Sequence, residues 1–285
     1  MHKIGIIALV IALPCWFPTA AAAGEGWRDD PVWHDGLVEK ATYAASRVIY
    51  GQPRSHTAVV FTNKEQHDLK TLTKAAESTS TVEVFKHNVI EVVPTPNYDY
   101  KFEATSHFTV DNLQLTRLDV ASQEFCGTSF KQYLRRPGEA ELDYWSFSYM
   151  PESGRVSAKI PTEGRTIVPE DGLFLWLRDY DFASRQPARF WLLPSQKSNR
   201  ATPATPIAAE VRYAGEEDGS HKLSIVTFAP TKTTGDAFSQ PSRPLADAWL
   251  AKDRLHVLTR YVAADGQRYE LQKVQRVNYW TIRGE

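Results

Sequence analysis

Pro169-Glu170-Asp171-Gly172-Leu173-Phe174-Leu175-Trp176-Leu177-Arg178-Asp179-Tyr180 is the stretch on which the fold turns. It opens with proline and two acids, a composition suited to the first turn of a helix. Leu173, Trp176, Leu177 and Tyr180 then recur at i, i+3, i+4 and i+7, one face of a helix. The spacing predicts a single short helix, packed deeply and weakened at Gly172 by about 1 kcal/mol relative to alanine.

Outward from this stretch the pattern is extended in both directions. Upstream, residues 41–50 and 57–62 flank Gly51-Gln52-Pro53-Arg54, a hairpin signal, and residues 69–80 read as a long Thr/Ser-rich loop. Residues 82–93, 98–103, 113–130 and 142–149 read as further strands, the last meeting the turn Pro151-Glu152-Ser153-Gly154. Downstream, residues 188–193 form a strand, and 194–206 read as a solvated Ser/Pro/Thr loop. Residues 208–213 and 222–228 make a hairpin, and 231–244 another loop. The alternation from Leu255 to Tyr261, the turn Asp265-Gly266 and the return through Tyr269 to Val274 make the clearest hairpin, and Tyr279-Trp280 follows. Ten to twelve strands and one helix predict a mainly β fold, an antiparallel curved sheet forming a roll or incomplete barrel around the 169–180 helix. One helix is too few for a parallel α/β sheet, whose strands need crossovers.

Residues 1–23 read as an export signal. Lys3 is the positive start, Ile4 to Leu13 the apolar run, and Ala21-Ala22-Ala23 a cleavage site before Gly24. Ten apolar residues span only about 15 Å as a helix, too short for a bilayer. Leu13-Pro14 before Cys15 suits lipidation poorly, and no later segment is long and apolar enough for a membrane helix. The expectation is therefore one β-rich domain over residues 24–285, exported to the periplasm or cell surface, with residues 24–31 as a flexible lead-in. A net charge of -1 gives no electrostatic footprint for nucleic acid, and 12% aromatic residues exclude disorder.

Motifs with chemical content are few. The histidines after the leader are His34, His56, His67, His87, His107, His221 and His256, with no H-E-x-x-H and no cysteine pair. Spacing alone thus supports no metal site and no cofactor, although ligands distant in sequence can converge in a fold. Cys126 is the one cysteine beyond the leader and reads as a buried strand residue. Glu124, two residues away, would share its face and raise the thiol pKa. His34-Asp35 can be an oriented base or a turn set by Asp35-Gly36. Ser195 and Lys197 suggest a Ser–Lys dyad, set against a solvated loop position. Arg178, Asp179, Asp181 and Arg185 read as an ion-pair cluster at the helix end. Trp145, Phe147, Trp176 and Trp191 are the candidate lining of an apolar concave face.

Trp33-His34-Asp35-Gly36, Tyr43, the run 47–54, Ser122-Gln123-Glu124-Phe125-Cys126-Gly127, Asp265-Gly266, Arg276 and Tyr279-Trp280 resemble a group of exported bacterial proteins often labelled "septum formation inhibitor". The enzymes that properly bear that label are cytoplasmic α/β nucleotide pyrophosphatases, which a β-rich chain with no phosphate loop does not match, so no catalytic residue carries across. More loosely, strands around one helix resemble periplasmic lipoprotein carriers, which implies a half-barrel with an apolar concave face and no cofactor. The leading expectation is a non-enzymatic envelope protein binding an apolar or lipid-like ligand, or a partner protein, in that concave face. The rivals are an exported hydrolase or thiol enzyme using Cys126 with His34 or another histidine, and a structural or assembly protein of the envelope.

Overall fold

A computed structural model describes residues 26–150, 154–162, 164–230, 236–278 and 280. The expected leader with Cys15, the turn at 151–153 and Tyr279 lie outside the described residues. Fifteen strands form one sheet: β1 Val38–Ile49, β2 Gln52–Asp68, β3 Thr81–Val93, β4 Tyr100–Thr109, β5 Leu115–Glu124, β6 Gly127–Leu134, β7 Glu141–Ser148, β8 Arg155–Pro161, β9 Ile167–Pro169, β10 Ala188–Leu193, β11 Ile207–Glu217, β12 Ser220–Phe228, β13 Ser242–Ala251, β14 Leu258–Ala263 and β15 Arg268–Val277. Strands β1 to β8 run outward as a meander on one side, β15 back to β9 on the other, and β1 pairs with β15 at the centre. All pairings are antiparallel except that of β9 with β10. The sheet curls but does not close, with β8 and β9 at its edges.

The expected mainly β roll around one helix is the observed architecture. The helix is a 3-10 turn, Glu170–Gly172, one α-turn, α1 Leu173–Trp176, and a second 3-10 turn, Leu177–Asp179. It runs through the hollow of the sheet, so Leu173, Phe174, Leu175 and Leu177 are all buried rather than one face of them. Gly172 is required by close approach: a Cβ there would lie 2.7 Å from Ser106 Oγ and 2.8 Å from the Phe108 ring. Ala41, Tyr43, Ala45, Ala58, Val60 and Val89 alternate inward along β1 to β3 and meet the helix in one core.

Four expectations need correction. The lead-in is folded: Trp27 and Trp33 sit in 3-10 turns at one end of the roll, are buried, and pack on Phe85 at 4.8 and 5.2 Å between ring centroids. Segment 194–206 is no solvated loop but a strap across the inner faces of β6 and β7. Lys131 Nζ donates to the Gln196 carbonyl at 2.7 Å and Tyr133 to Gln196 Oε1 at 2.9 Å. Tyr144 and Ser146 donate to the Ala201 carbonyl, and Ser148 to that of Asn199. Part of the expected 231–244 loop begins β13, whose Pro244 weakened the strand pattern. The helix-end charges do not pair among themselves. Arg178 reaches buried Glu39 on β1 with two bonds of 2.6 and 3.1 Å, and Asp179 takes Arg28. Removing one partner from a pair this deep costs about 3–5 kcal/mol.

Candidate functional site

Successive hairpins place the β1–β2, β3–β4, β5–β6 and β7–β8 turns at one end of the roll, here the rim. The β1–β2 turn is Tyr50-Gly51, both with positive φ (50° and 73°), the geometry of a two-residue hairpin whose twist matches its strands. It is one step earlier than the Gly/Pro tetrad suggested. Phe125-Cys126 is the β5–β6 turn. Tyr50 and Phe125 are each 83% exposed, large for such side chains. The turns touch: the Tyr50 and Tyr100 hydroxyls are 2.5 Å apart, those of Tyr98 and Tyr100 3.0 Å, and Tyr98 lies 5.1 Å from the Phe125 ring. Tyr149 stands against Gly127, where any Cβ would clash with its ring, and Met150 is exposed beside it. Exposed Lys101, Arg155 and Arg268 begin strands at this same end.

The sequence-derived candidates scatter over this frame. Cys126 is exposed in the rim turn, not buried in a strand. Glu124 is therefore not its neighbour on one strand face; it accepts from the Tyr149 hydroxyl at 3.4 Å. His34 is exposed at the opposite end, before β1, and is separated from Cys126 by the length of that strand, about 35 Å. Asp35 is tied to Arg276 at 2.6 Å and caps the Leu37 amide, so it orients a turn rather than an imidazole; the Arg276 bond holds its carboxyl below its usual range. Trp145 and Phe147 alternate with the inward Tyr144, Ser146 and Ser148 and so face outward, not into the hollow. Trp176 packs at 4.7 Å on Phe190 within the core. Trp191 lines an outer groove with Pro206, Phe228 and Ala237.

The concave face is filled by the protein's own chain. Behind the rim lies a buried ionic network instead of an apolar cavity. Glu91 accepts from Lys197 Nζ at 2.7 Å, the Tyr269 hydroxyl at 2.8 Å and His56 Nε2 at 2.9 Å. Burial alone would raise its pKa, but Lys197, His56 and Arg47 hold it well below the carboxylate range. Lys197 also lies 3.7 Å from Asp171, and Ser195 Oγ donates to Asp171 at 2.7 Å. A lysine held between two carboxylates is an ion-pair partner, not the base a Ser–Lys dyad needs. Burial, followed by the Asp171 charge, pushes Glu170 up to about 7. The space remaining here is about 20 Å³, room for one water and far too small for a lipid chain.

A second constellation sits on the outer face near the Trp27–Trp33 end. Glu65 and His67 alternate on β2 and point outward, and His107 comes from β4. Loop 69–80 folds back over them through the Ala75 amide to Gln66 carbonyl bond and a bridge from Lys74 to His67. It leaves both rings buried beside a hollow of about 300 Å³. Sequence reading missed this group. Glu65-x-His67 was visible as a same-face pair, but nothing in the spacing joined it to His107.

No family model matches this sequence, and no curated protein matches it. Among solved structures, the chain is similar to a β-barrel-like protein of the domain of unknown function DUF1849 from Brucella abortus. The two are 10% identical, the match covers 85% of this chain and 98% of that one, and the TM-score is 0.46.

Proposed function

We propose that this chain is an exported, non-enzymatic protein of the cell envelope that seats its aromatic rim on an apolar or lipid-like surface. The observation that carries this reading is the pair of 83% exposed rings, Tyr50 and Phe125, at hairpin tips joined through Tyr98 and Tyr100 at the β3–β4 turn between them. Tyr50, with an apolar body and a polar hydroxyl, suits the boundary between water and hydrocarbon, and Phe125 adds apolar area beyond it. Lys101, Arg155 and Arg268 stand behind them together with exposed Asp99 and Asp265, so the rings rather than the charges carry the reading. Export is supported by the pattern of residues 1–23 and by the resemblance to exported bacterial proteins. Because the concave face is filled, the proposed binding surface lies at the rim and not in the hollow.

Flotation with phosphatidylglycerol-containing vesicles tests the reading. The wild-type chain is expected to float with the vesicles. The variant Tyr50→Ser/Phe125→Ser is expected to lose roughly a hundredfold in affinity, from two side chains worth about 1.5 kcal/mol each at the interface. Equal flotation of the two proteins, or none by the wild type, overturns it.

A further inference from the structure

We infer that Glu65, His67 and His107 form a binding site for one divalent transition-metal ion of the zinc class. His67 Nε2 lies 2.8 Å from Glu65 Oε1, and His107 Nε2 lies 3.5 Å from the same oxygen. The three donor atoms fall within 4.8 Å of one another. In a tetrahedral zinc site with bonds of about 2.0–2.2 Å, donors stand about 3.3 Å apart. The two spacings to Glu65 bracket that value and the third is no more than 4.8 Å, so the three donors can close on one ion.

The donor set has the chemistry the ion requires. Two imidazoles and one carboxylate suit zinc, copper or nickel and reject magnesium and calcium, which prefer all-oxygen shells. Both rings are buried, at 2% and 5% exposure, and both turn Nε2 toward Glu65. The two rings are aimed at a single carboxylate oxygen, with their centroids 4.5 Å apart.

Three protein ligands leave a fourth position free beside a hollow lined by Lys74, Lys86 and Arg117 and by the carboxylates Glu103 and Asp119. Arg117 is bound to Asp119, whereas Lys74 is three-quarters exposed and lies 3.9 Å from Glu65. Lys74 is thus the lining cation free to meet an anionic fourth ligand on the ion, such as a carboxylate or phosphate group.

The test is a titration of the full, chelator-treated protein with Zn²⁺, followed by calorimetry and by thermal melting. One ion per chain is expected, with a rise in Tm that follows ligand concentration. The variants His67→Gln, His107→Gln and Glu65→Gln are each expected to lose about a hundredfold or more in affinity, while His221→Gln, outside the cluster, is expected to bind as the wild type does. Loading the wild-type protein with Co²⁺ gives a readout that needs no variant, since a tetrahedral site shows strong visible absorption. Absence of stoichiometric binding by the wild type, unchanged binding in the cluster variants, or a Co²⁺ spectrum of the hexa-aquo ion overturns the assignment.

Discussion

Glu170 shows how one buried side chain writes a pH dependence into the whole fold. Its carboxyl accepts from the Ser195 amide at 3.1 Å, yet burial and the neighbouring Asp171 raise its pKa from 4.5 to about 7. The folded chain thus binds this proton more tightly than the unfolded chain does. Stability attributable to Glu170 is highest below about 4.5 and falls as pH rises through about 7. Glu170→Gln keeps an acceptor for Ser195 and cannot ionise. Its stability relative to the wild type is expected to be flat at low pH and to climb by about 3 kcal/mol by pH 8. Urea unfolding of both proteins across that range checks this. His87, pushed down to about 3 by burial and the Arg178 and Lys197 charges, slopes the opposite way but is common to both proteins and cancels. A relative stability that does not change with pH would mean Glu170 is solvated.

The helix and the strap show what sequence pattern can and cannot carry at the scale of an element. Periodicity located the helix because it depends on its own residues, and the reduced helix propensity of Gly172 has its cause in a contact with β4. Gly172→Ala is expected to destabilise the fold by about 1–3 kcal/mol, because the side chains of Ser106 and Phe108, both fully buried, would have to shift. The sign is opposite to the gain alanine gives in an exposed helix, and thermal melting decides between them. Most strands were legible from alternation and from turns such as Asp265-Gly266, since both are local signals. The strap was not, because Ser195, Gln196 and Lys197 are polar and their burial depends on partners from Glu91 to Tyr133, far away in the chain. The same holds for the lead-in, where Trp27 and Trp33 become core only once Phe85 stands beneath them. Trp145 and Phe147 mark the limit of composition: aromatic character says that a side chain is large and apolar, while strand register decides which face it takes. Cys126 was misplaced for a related reason, as Phe125-Cys126 carries no turn residue of its own and the positive φ falls on Gly127.

Across the whole molecule, the rim and the His67–His107 cluster lie at opposite ends of β2 and β4, with the filled core between them. β2 alone is 17 residues long, about 55 Å if fully extended. A change at one end should therefore leave the other untouched unless the sheet itself is disturbed. Cys126 gives a direct probe, being exposed in the rim turn between the Tyr98 and Tyr149 tips. A thiol reagent is expected to modify it in the native protein without denaturant. A bulky charged adduct there should block vesicle flotation by lifting Phe125 from the surface, while Zn²⁺ binding at Glu65, His67 and His107 keeps its affinity within about twofold. If the adduct weakened the ion instead and left flotation intact, the rim would not be the seat of binding and the two ends would be coupled through the core. If Cys126 reacted only after unfolding, the exposed turn on which the rim is built would be wrong.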